Sequence, residues 1–127
     1  MLSSNDVNIL GNIFNTTYGR SSSGTHSCKA TLEGSRMKIV YSTMAYFASD
    51  RDMHSQQARL NEESAVRVAD FVSQAKSQFK EMSGAALKLK ELSDRDSLEL
   101  VNASMNNPRR VFVYRRFAEF EILNGGK

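Results

Sequence analysis

The sequence predicts a single α+β domain in which an antiparallel five-stranded sheet is backed by one long helix. Its 127 residues fit one domain with one hydrophobic core. Apolar residues recur with helical spacing in two segments and with a period of two in the remaining ones. Short polar turns join consecutive strand segments, which favours antiparallel neighbours. The predicted order is short helix, two strands, long helix and three strands, in one domain over residues 1–127.

Residues 4–16 predict a short amphipathic helix, followed by a loop. The apolar positions of this helix are Val7, Ile9, Leu10, Ile13 and Phe14. They follow the spacing of a helix face, and Ser3 or Ser4 can cap the first turn. Residues 17–27 are small, polar and punctuated by glycine, so they predict a mobile, exposed loop.

The next two segments predict a β-hairpin. Residues 28–33 alternate between apolar and polar side chains, and Gly34-Ser35 supplies a two-residue turn. Residues 37–48 form a β-rich run in which Ile39 and Tyr41 share one face while Val40 and Met44 share the other. Because both faces are apolar, we expect this strand to be covered on both sides.

Residues 55–82 predict a long helix that ends before Gly84. Its apolar stripe comprises Leu60, Ala65, Val68, Phe71, Val72, Ala75, Phe79 and Met82. The stripe is the surface that can cover the sheet, so we predict that it belongs to the core; a seam between subunits is the alternative. At ~1.5 Å per residue the helix is roughly 40 Å long, which leaves room for overhang and self-association.

Three strands are predicted after the long helix. Leu87 and Leu89 alternate with lysines, the polar residues 93–97 predict a turn, and Leu98 and Leu100 resume the alternation. The Asn-Asn-Pro sequence at 106–108 predicts a break before the last strand at 109–123. The arginine pair at 115–116 interrupts an apolar strand and predicts either a bulge or an exit of the strand from the core there. Residues 124–127 are expected to form a frayed tail.

Composition and segment lengths predict an intracellular protein or one inside an assembled particle. A single cysteine excludes an intramolecular disulfide framework. The first residues lack the features of a signal peptide, and no segment approaches the ~20 apolar residues that span a bilayer. The net charge of +3 is too small to require nucleic-acid binding by itself. We therefore expect neither secretion nor membrane association.

The sequence does not contain a recognisable catalytic or cofactor-binding arrangement. The loop between Gly19 and Gly24 lacks the lysine of a phosphate-binding loop. His26, Cys28 and His54 supply three candidate zinc ligands, but Cys28 is better explained as a core residue. The serines lack a nucleophile motif, and the paired carboxylates lie at turns, at a helix start or alternating on a strand. We predict no cofactor, no metal and no enzymatic activity.

The segment 109–117, RRVFVYRRF, is the strongest functional signal. It combines four arginines with three aromatic residues on a predicted strand. The candidate binding residues are Arg109, Arg110, Tyr114, Arg115, Arg116 and Phe117. Three interpretations remain open: internal pairing of Arg115 and Arg116 with Asp94, Asp96 or Glu99, contact with an acidic surface of another subunit, or binding of nucleic-acid phosphates and bases.

The segments 10–25 (LGNIFNTTYGRSSSGT) and 109–122 (RRVFVYRRFAEFEI) together resemble small uncharacterised proteins of contractile-tailed marine cyanobacterial phages. The resemblance implies a phage origin and a location in the host cytoplasm or the virion. It transfers no catalytic or ligand residues. The expected function is that of a non-enzymatic structural or assembly protein, acting as a homo-oligomer or with other phage proteins. The alternative is a nucleic-acid-binding module that uses the strand at 109–117.

Overall fold

The computed structural model describes residues 2–16, 26–47, 50–102 and 110–124, and it confirms an α+β fold with an antiparallel sheet. Within these residues the elements are α1 (Ser4–Thr16), β1 (His26–Glu33), β2 (Arg36–Phe47), α2 (Asp50–Ser83), β3 (Leu89–Asn102) and β4 (Arg110–Ile122). The strand order is β1-β2-β4-β3, with every neighbouring pair antiparallel. Two hairpins are thus joined through the central pair β2–β4.

The sheet has four strands in the described residues, so the prediction of five strands is wrong. The polar segment 93–97, predicted as a turn, lies inside the continuous strand β3. A register shift between Glu91 and Ser93 leaves Leu92 as an extra residue. Leu89 and Leu98 therefore face the same side although their numbers differ in parity. The sequence suggests two strands because a bulge interrupts the alternation of apolar and polar side chains in the same way as a turn does.

Of the two alternatives predicted at Arg115 and Arg116, a bulge and an exit from the core, the bulge is wrong. β4 pairs with β2 without a register shift through both residues, and the irregularities lie in β3 instead. The regular pairing keeps the alternation of β4 intact, so that Arg115 and Arg116 point to opposite sides of the sheet.

Both helices lie on one side of the sheet. α1 contacts β1 and α2, while α2 contacts β1, β2 and β4. The strand residues that face them are buried: Cys28, Met37, Ile39, Tyr41, Thr43, Ala45, Phe112, Tyr114, Ala118 and Ile122. Val40 and Met44 face the other side, where Met44 is 43% exposed. The prediction that β2 is covered on both sides is therefore wrong, and none of the described elements covers this second face, which we call the open face.

The core forms where the apolar stripes of the helices meet this covered face. Buried positions of α2 recur at Leu60, Ser64, Val68, Phe71, Ala75 and Phe79, and those of α1 are Ile9, Leu10, Ile13 and Phe14. The rings of Phe14 and Phe71 lie 6.3 Å apart and connect the two helices. The predicted stripe of α2 is confirmed at five positions, but Met82 is 53% exposed and lies outside the core.

The ends of the elements follow the sequence signals. Ser3 accepts a hydrogen bond from the amide of Asp6 at 3.1 Å, which identifies Ser3 as the N-cap of α1. Gly84 ends α2 with φ of 78°. Gly34 has φ of 60° and Ser35 does not have a positive φ, so the β1–β2 turn is of type II′.

The predicted loop and tail overlap the folded elements at their inner ends. β1 begins at His26, so the last two residues of the predicted loop belong to a strand. The side chain of Asn124 bonds to the amide of Lys88 at 2.6 Å and to the carbonyl of Ala86 at 2.8 Å. Residues 17–25, 103–109 and 125–127 lie outside the described residues. Neither described helix has the length and apolar character needed to cross a membrane.

Candidate interaction surface on the sheet

The alternation of β4 divides the predicted binding residues between the two faces of the sheet. Tyr114 and Arg116 point toward α2, whereas Arg115 and Phe117 point to the open face. The backbone of Arg110 begins β4, but its side chain and the whole of Arg109 lie outside the described residues. The described candidates therefore form two separate sites, one beneath the helix and one on the surface.

Arg116 is tied into the interface between α2 and β4. Its guanidinium donates to Asp94 Oδ2 at 2.6 Å, to the carbonyl oxygen of Asn61 at 3.0 Å and to Ser64 Oγ at 3.2 Å. Its side chain is only 13% exposed. The hydrogen bond to the Asp94 carboxylate raises the pKa of Arg116. The internal pairing considered from the sequence is therefore confirmed for this arginine.

Tyr114 is fully buried at 0% exposure, which excludes the surface stacking role predicted for it. Its hydroxyl donates to Asp96 Oδ2 at 2.9 Å and lies 3.2 Å from Ser64 Oγ. Asn61 Nδ2 also donates to Asp96 Oδ2, at 3.0 Å. Burial raises the pKa of Tyr114, while the hydrogen bonds from Asn61 and then from Tyr114 lower the pKa of Asp96. The tyrosine is thus a neutral donor and the aspartate a charged acceptor.

These residues form one network, which we call the α2–β4 network: Asn61, Ser64, Asp94, Asp96, Tyr114 and Arg116. In the described part of the chain no buried side-chain nitrogen or oxygen is left without a hydrogen-bond partner. Asn61, Tyr114 and Arg116 each donate to an acceptor on another element of the fold, while the Ser64 hydroxyl donates to the carbonyl of Asn61 within α2. The network therefore ties α2 to β4 and to the neighbouring strand β3.

The open face has a basic and aromatic row at its centre. The register places Lys29, Val40, Phe117 and Arg95 side by side across all four strands. The guanidinium carbon of Arg95 lies 4.3 Å from the centroid of the Phe117 ring, which is a cation–π contact. Lys29 and Arg95 are exposed, while Val40 and Phe117 are half-buried. The row can contact an apolar or an anionic group.

The next rows extend this surface toward the far end of β2. Arg115 forms an ion pair with Glu99 at 3.0 Å, and both side chains remain well exposed. This pair confirms internal pairing for the second arginine, but solvent keeps such a bond weak. Beyond it Met44 faces Val113, so that apolar side chains continue along the centre of the face. We call the set Lys29, Val40, Met44, Arg95, Val113, Arg115 and Phe117 the open-face patch.

Two ion pairs border the patch at the end of the sheet that carries the β1–β2 turn. Lys38 lies 2.8 Å from Glu33 across the hairpin, and Arg36 lies 3.3 Å from Glu119. The hydrogen bond and charge of Lys38 lower the pKa of Glu33. This end is therefore neutralised by pairs within the chain, whereas Lys29 has no ion-pair partner among the described residues. The patch is the more basic part of the face.

A groove of about 430 Å³ runs on the covered side, between α2 and the strands β4 and β3. Its walls are apolar at Val68, Val72 and Phe120, and Arg116 and Asp94 form part of its lining. The groove arises because α2 lies over β1, β2 and β4 and extends little over β3. Of its four charged side chains, Asp94 and Arg116 belong to the α2–β4 network, whereas Lys76 and Glu91 do not.

The candidate zinc ligands are not brought together in the described residues. Cys28 is buried in the core, where burial raises its pKa to about 11, and this agrees with the predicted core role. His54 lies near the start of α2, and the side chain of His26 lies outside the described residues. No group of three potential metal ligands occurs among the described side chains.

Sequence reasoning missed Arg95, Val40 and Lys29 as parts of one surface. The sequence pattern predicts a turn at Arg95 and a covered position at Val40, because it reveals neither the bulge nor the one-sided packing. The cross-strand register is the signal that joins them, and it requires the correct strand number. Comparisons with protein-family models, with curated proteins and with solved structures gave no match.

Proposed function

We propose that this chain is a non-enzymatic assembly protein that acts by associating with further copies of itself, through the parts of the sheet that its helices leave uncovered. The observation that carries the proposal is the open-face patch, where Met44, Val40 and Phe117 present apolar surface at the centre of the sheet. An antiparallel sheet with a wet face alternates apolar and polar side chains, so apolar residues on that face favour a protein contact.

The polar residues also support assembly over catalysis. Tyr114, Arg116 and Asp96 hold α2 against the sheet, and the hydrogen bonds of the network occupy their polar atoms. A nucleophile or general base needs a partner that orients it toward an open position for the substrate. The resemblance to phage proteins fits the same proposal, with the host cytoplasm or the virion as the place of assembly.

Sedimentation velocity across a concentration series tests the proposal. We expect a reversible shift from monomer to dimer or larger species between about 1 and about 100 µM, because burial of apolar surface drives association by mass action. The shift should persist at high salt, since apolar burial is not screened by ions. A chain that remains monomeric through the whole series would contradict the proposal.

A second candidate function is binding of single-stranded nucleic acid by the open-face patch. The observation in its favour is the row in which Phe117 lies beneath Arg95 and next to basic residues. Aromatic rings offer stacking surfaces for bases, and arginine and lysine bind phosphates. Of the residues predicted for this role, the open face presents Arg115 and Phe117, whereas Tyr114 and Arg116 are engaged beneath α2.

Fluorescence anisotropy with a labelled single strand of about 12 nucleotides tests this candidate. If both arginines contact phosphates, Arg95→Ala with Arg115→Ala should reduce the slope of log K against log salt by about 1.4. Lys76→Ala with Lys80→Ala removes the same charge from two exposed positions of α2, on the opposite side of the sheet from the patch, and should leave the slope unchanged. An absence of binding at low salt would exclude this candidate, and equal slopes for both double variants would exclude the patch as the site.

A further inference from the structure

The edge formed by β1 is regular and carries few charges. β1 pairs with β2 over eight residues, His26–Glu33, without a register shift, and it has no second neighbour among the described strands. Lys29 and Glu33 are its charged residues. Natural sheets protect edge strands with charges, bulges, prolines or covering elements, because an exposed edge is a template for pairing. β1 has little of this protection along its length.

The opposite edge of the sheet is protected in the usual way. β3 contains two register shifts, between Glu91 and Ser93 and between Leu100 and Asn102. It also carries six charged side chains, at Lys90, Glu91, Asp94, Arg95, Asp96 and Glu99. Bulges twist an edge away from a regular partner, and charges oppose desolvation. The two edges therefore differ, and β1 is the one suited to pairing.

The hairpin geometry shows which backbone groups of β1 are available. Glu33 and Arg36 flank the two-residue turn and form a hydrogen-bonded pair in such a turn. Because hydrogen-bonded positions alternate along an antiparallel pair, the odd-numbered residues of β1 bond to β2. The N–H and C=O groups of Cys28, Ala30 and Leu32 consequently point outward. They can receive the same groups of another strand.

We infer that β1 of one copy pairs antiparallel with β1 of a second copy around a two-fold axis at Thr31, which joins the two sheets into one of eight strands. In this register Lys29 lies opposite Glu33 of the second copy, and Glu33 lies opposite its Lys29. Thr31 lies opposite the same residue, and Ala30 lies opposite Leu32. The inference rests on the proposed self-association and adds to it a contact at the edge of the sheet, separate from the open-face patch, with a defined register.

Charge complementarity selects this register. Lys29 and Glu33 share the open face with Thr31, and all three are exposed. They occupy the positions that are not hydrogen-bonded to the second copy, where side chains across a pair are closest. Opposite charges and threonine pairs directly across two strands are favourable. Pairing around Lys29 itself would place two lysines opposite each other. The chosen register also keeps both helix layers on one side and joins the two open faces.

A disulfide at the two-fold axis provides the direct test. In this register the Cα atoms at position 31 lie ~4.5 Å apart, within the range that a disulfide spans. Thr31→Cys should therefore give a covalent dimer under mild oxidation. In Lys29→Cys the two cysteines would lie about 13 Å apart, because they are separated by four residues along the strands. Although the position is exposed, this variant should therefore remain monomeric on a non-reducing gel. The wild-type chain is the second control, since its cysteine is buried.

Charge reversal supplies an independent measurement. Lys29→Glu and Glu33→Lys should each weaken dimerisation about tenfold, because two favourable pairs become two repulsive pairs. The double variant restores opposite charges across the axis and should recover the wild-type dissociation constant. Glu33 also bridges Lys38 within the chain, so the melting temperature of each variant is measured to separate folding from association.

The possible outcomes separate this inference from the proposed function. If the wild type remains monomeric throughout sedimentation, both fail. If the wild type associates but Thr31→Cys does not form a covalent dimer, self-association stands and the β1 contact is overturned. Efficient linkage of Ala30→Cys in place of Thr31→Cys would overturn the register, as would a double charge variant that associates no better than the single ones.

Discussion

Replacing Arg116 by methionine lowers the free energy of unfolding by about 2–3 kcal/mol, while the same change at the neighbouring Arg115 lowers it by less than about 1 kcal/mol. Arg116 bonds to Asp94, Asn61 and Ser64 beneath α2, and its removal leaves a partly buried carboxylate without its cation. Methionine keeps the apolar stem of the side chain, so the loss reports the guanidinium. Urea unfolding followed by circular dichroism measures both values.

Arg115 is the matched control because it differs from Arg116 mainly in which face it occupies. Its ion pair with Glu99 is exposed to solvent, where such pairs contribute little. Equal losses for the two variants would contradict the division of β4 into a structural side and a surface side. A loss below about 0.5 kcal/mol for Arg116→Met would show that the α2–β4 network does not hold the helix.

The positions of most helices and strands could be predicted from periodicity, but the number of strands could not. The alternation at Leu87 and Leu89 stops before Leu98 and resumes with the other parity, which a turn and a bulge explain equally well. Long-range pairing decides between them: Arg95 contacts Phe117, and Asp94 contacts Arg116. These partners lie about twenty residues later, beyond the reach of any local pattern.

The packing of both helices on one face of the sheet could not be predicted from the sequence either. Val40 and Met44 suggested a second covering layer, since apolar residues on both faces of a strand usually indicate burial on both. The two described helices, α1 and α2, both lie on the same face. Conversely, Ser64 is buried within the helix stripe because it bonds to Tyr114 and Arg116. A pattern of hydrophobic residues cannot identify a serine as a buried position.

The segment predicted to carry the candidate site lies on β4, but its residues could not be assigned to the two faces of the sheet from the sequence. Because side chains alternate along a strand, the sequence places Arg115 and Phe117 on one face and Tyr114 and Arg116 on the other. Which pair faced the helices depended on the orientation of the whole sheet. The structure shows which pair faces the helices. It also shows that the basic surface is not confined to β4, because a row across the sheet includes Lys29, Phe117 and Arg95.

Phe79→Ala should destabilise the fold by about 3–5 kcal/mol, the largest effect that we expect from a single substitution in α2. Phe79 is 1% exposed near the end of the helix and belongs to the core between α2 and the sheet. Truncation removes a full aromatic ring and leaves a cavity that the sheet cannot close by local movement. The loss is a large part of the 5–15 kcal/mol that typically stabilises a small domain.

Met82→Ala separates this core role from the general effect of shortening an apolar side chain of α2. Met82 follows Phe79 by three residues, about 60° around the helix, and it is 53% exposed. Its truncation should change stability by less than about 0.5 kcal/mol when dilute protein is unfolded in urea. Comparable losses at both positions would mean that α2 is rotated toward Met82. If Met82→Ala lowers the free energy of unfolding only at high protein concentration, Met82 lies in a contact between copies. Mass action then links the stability of the protein to its association.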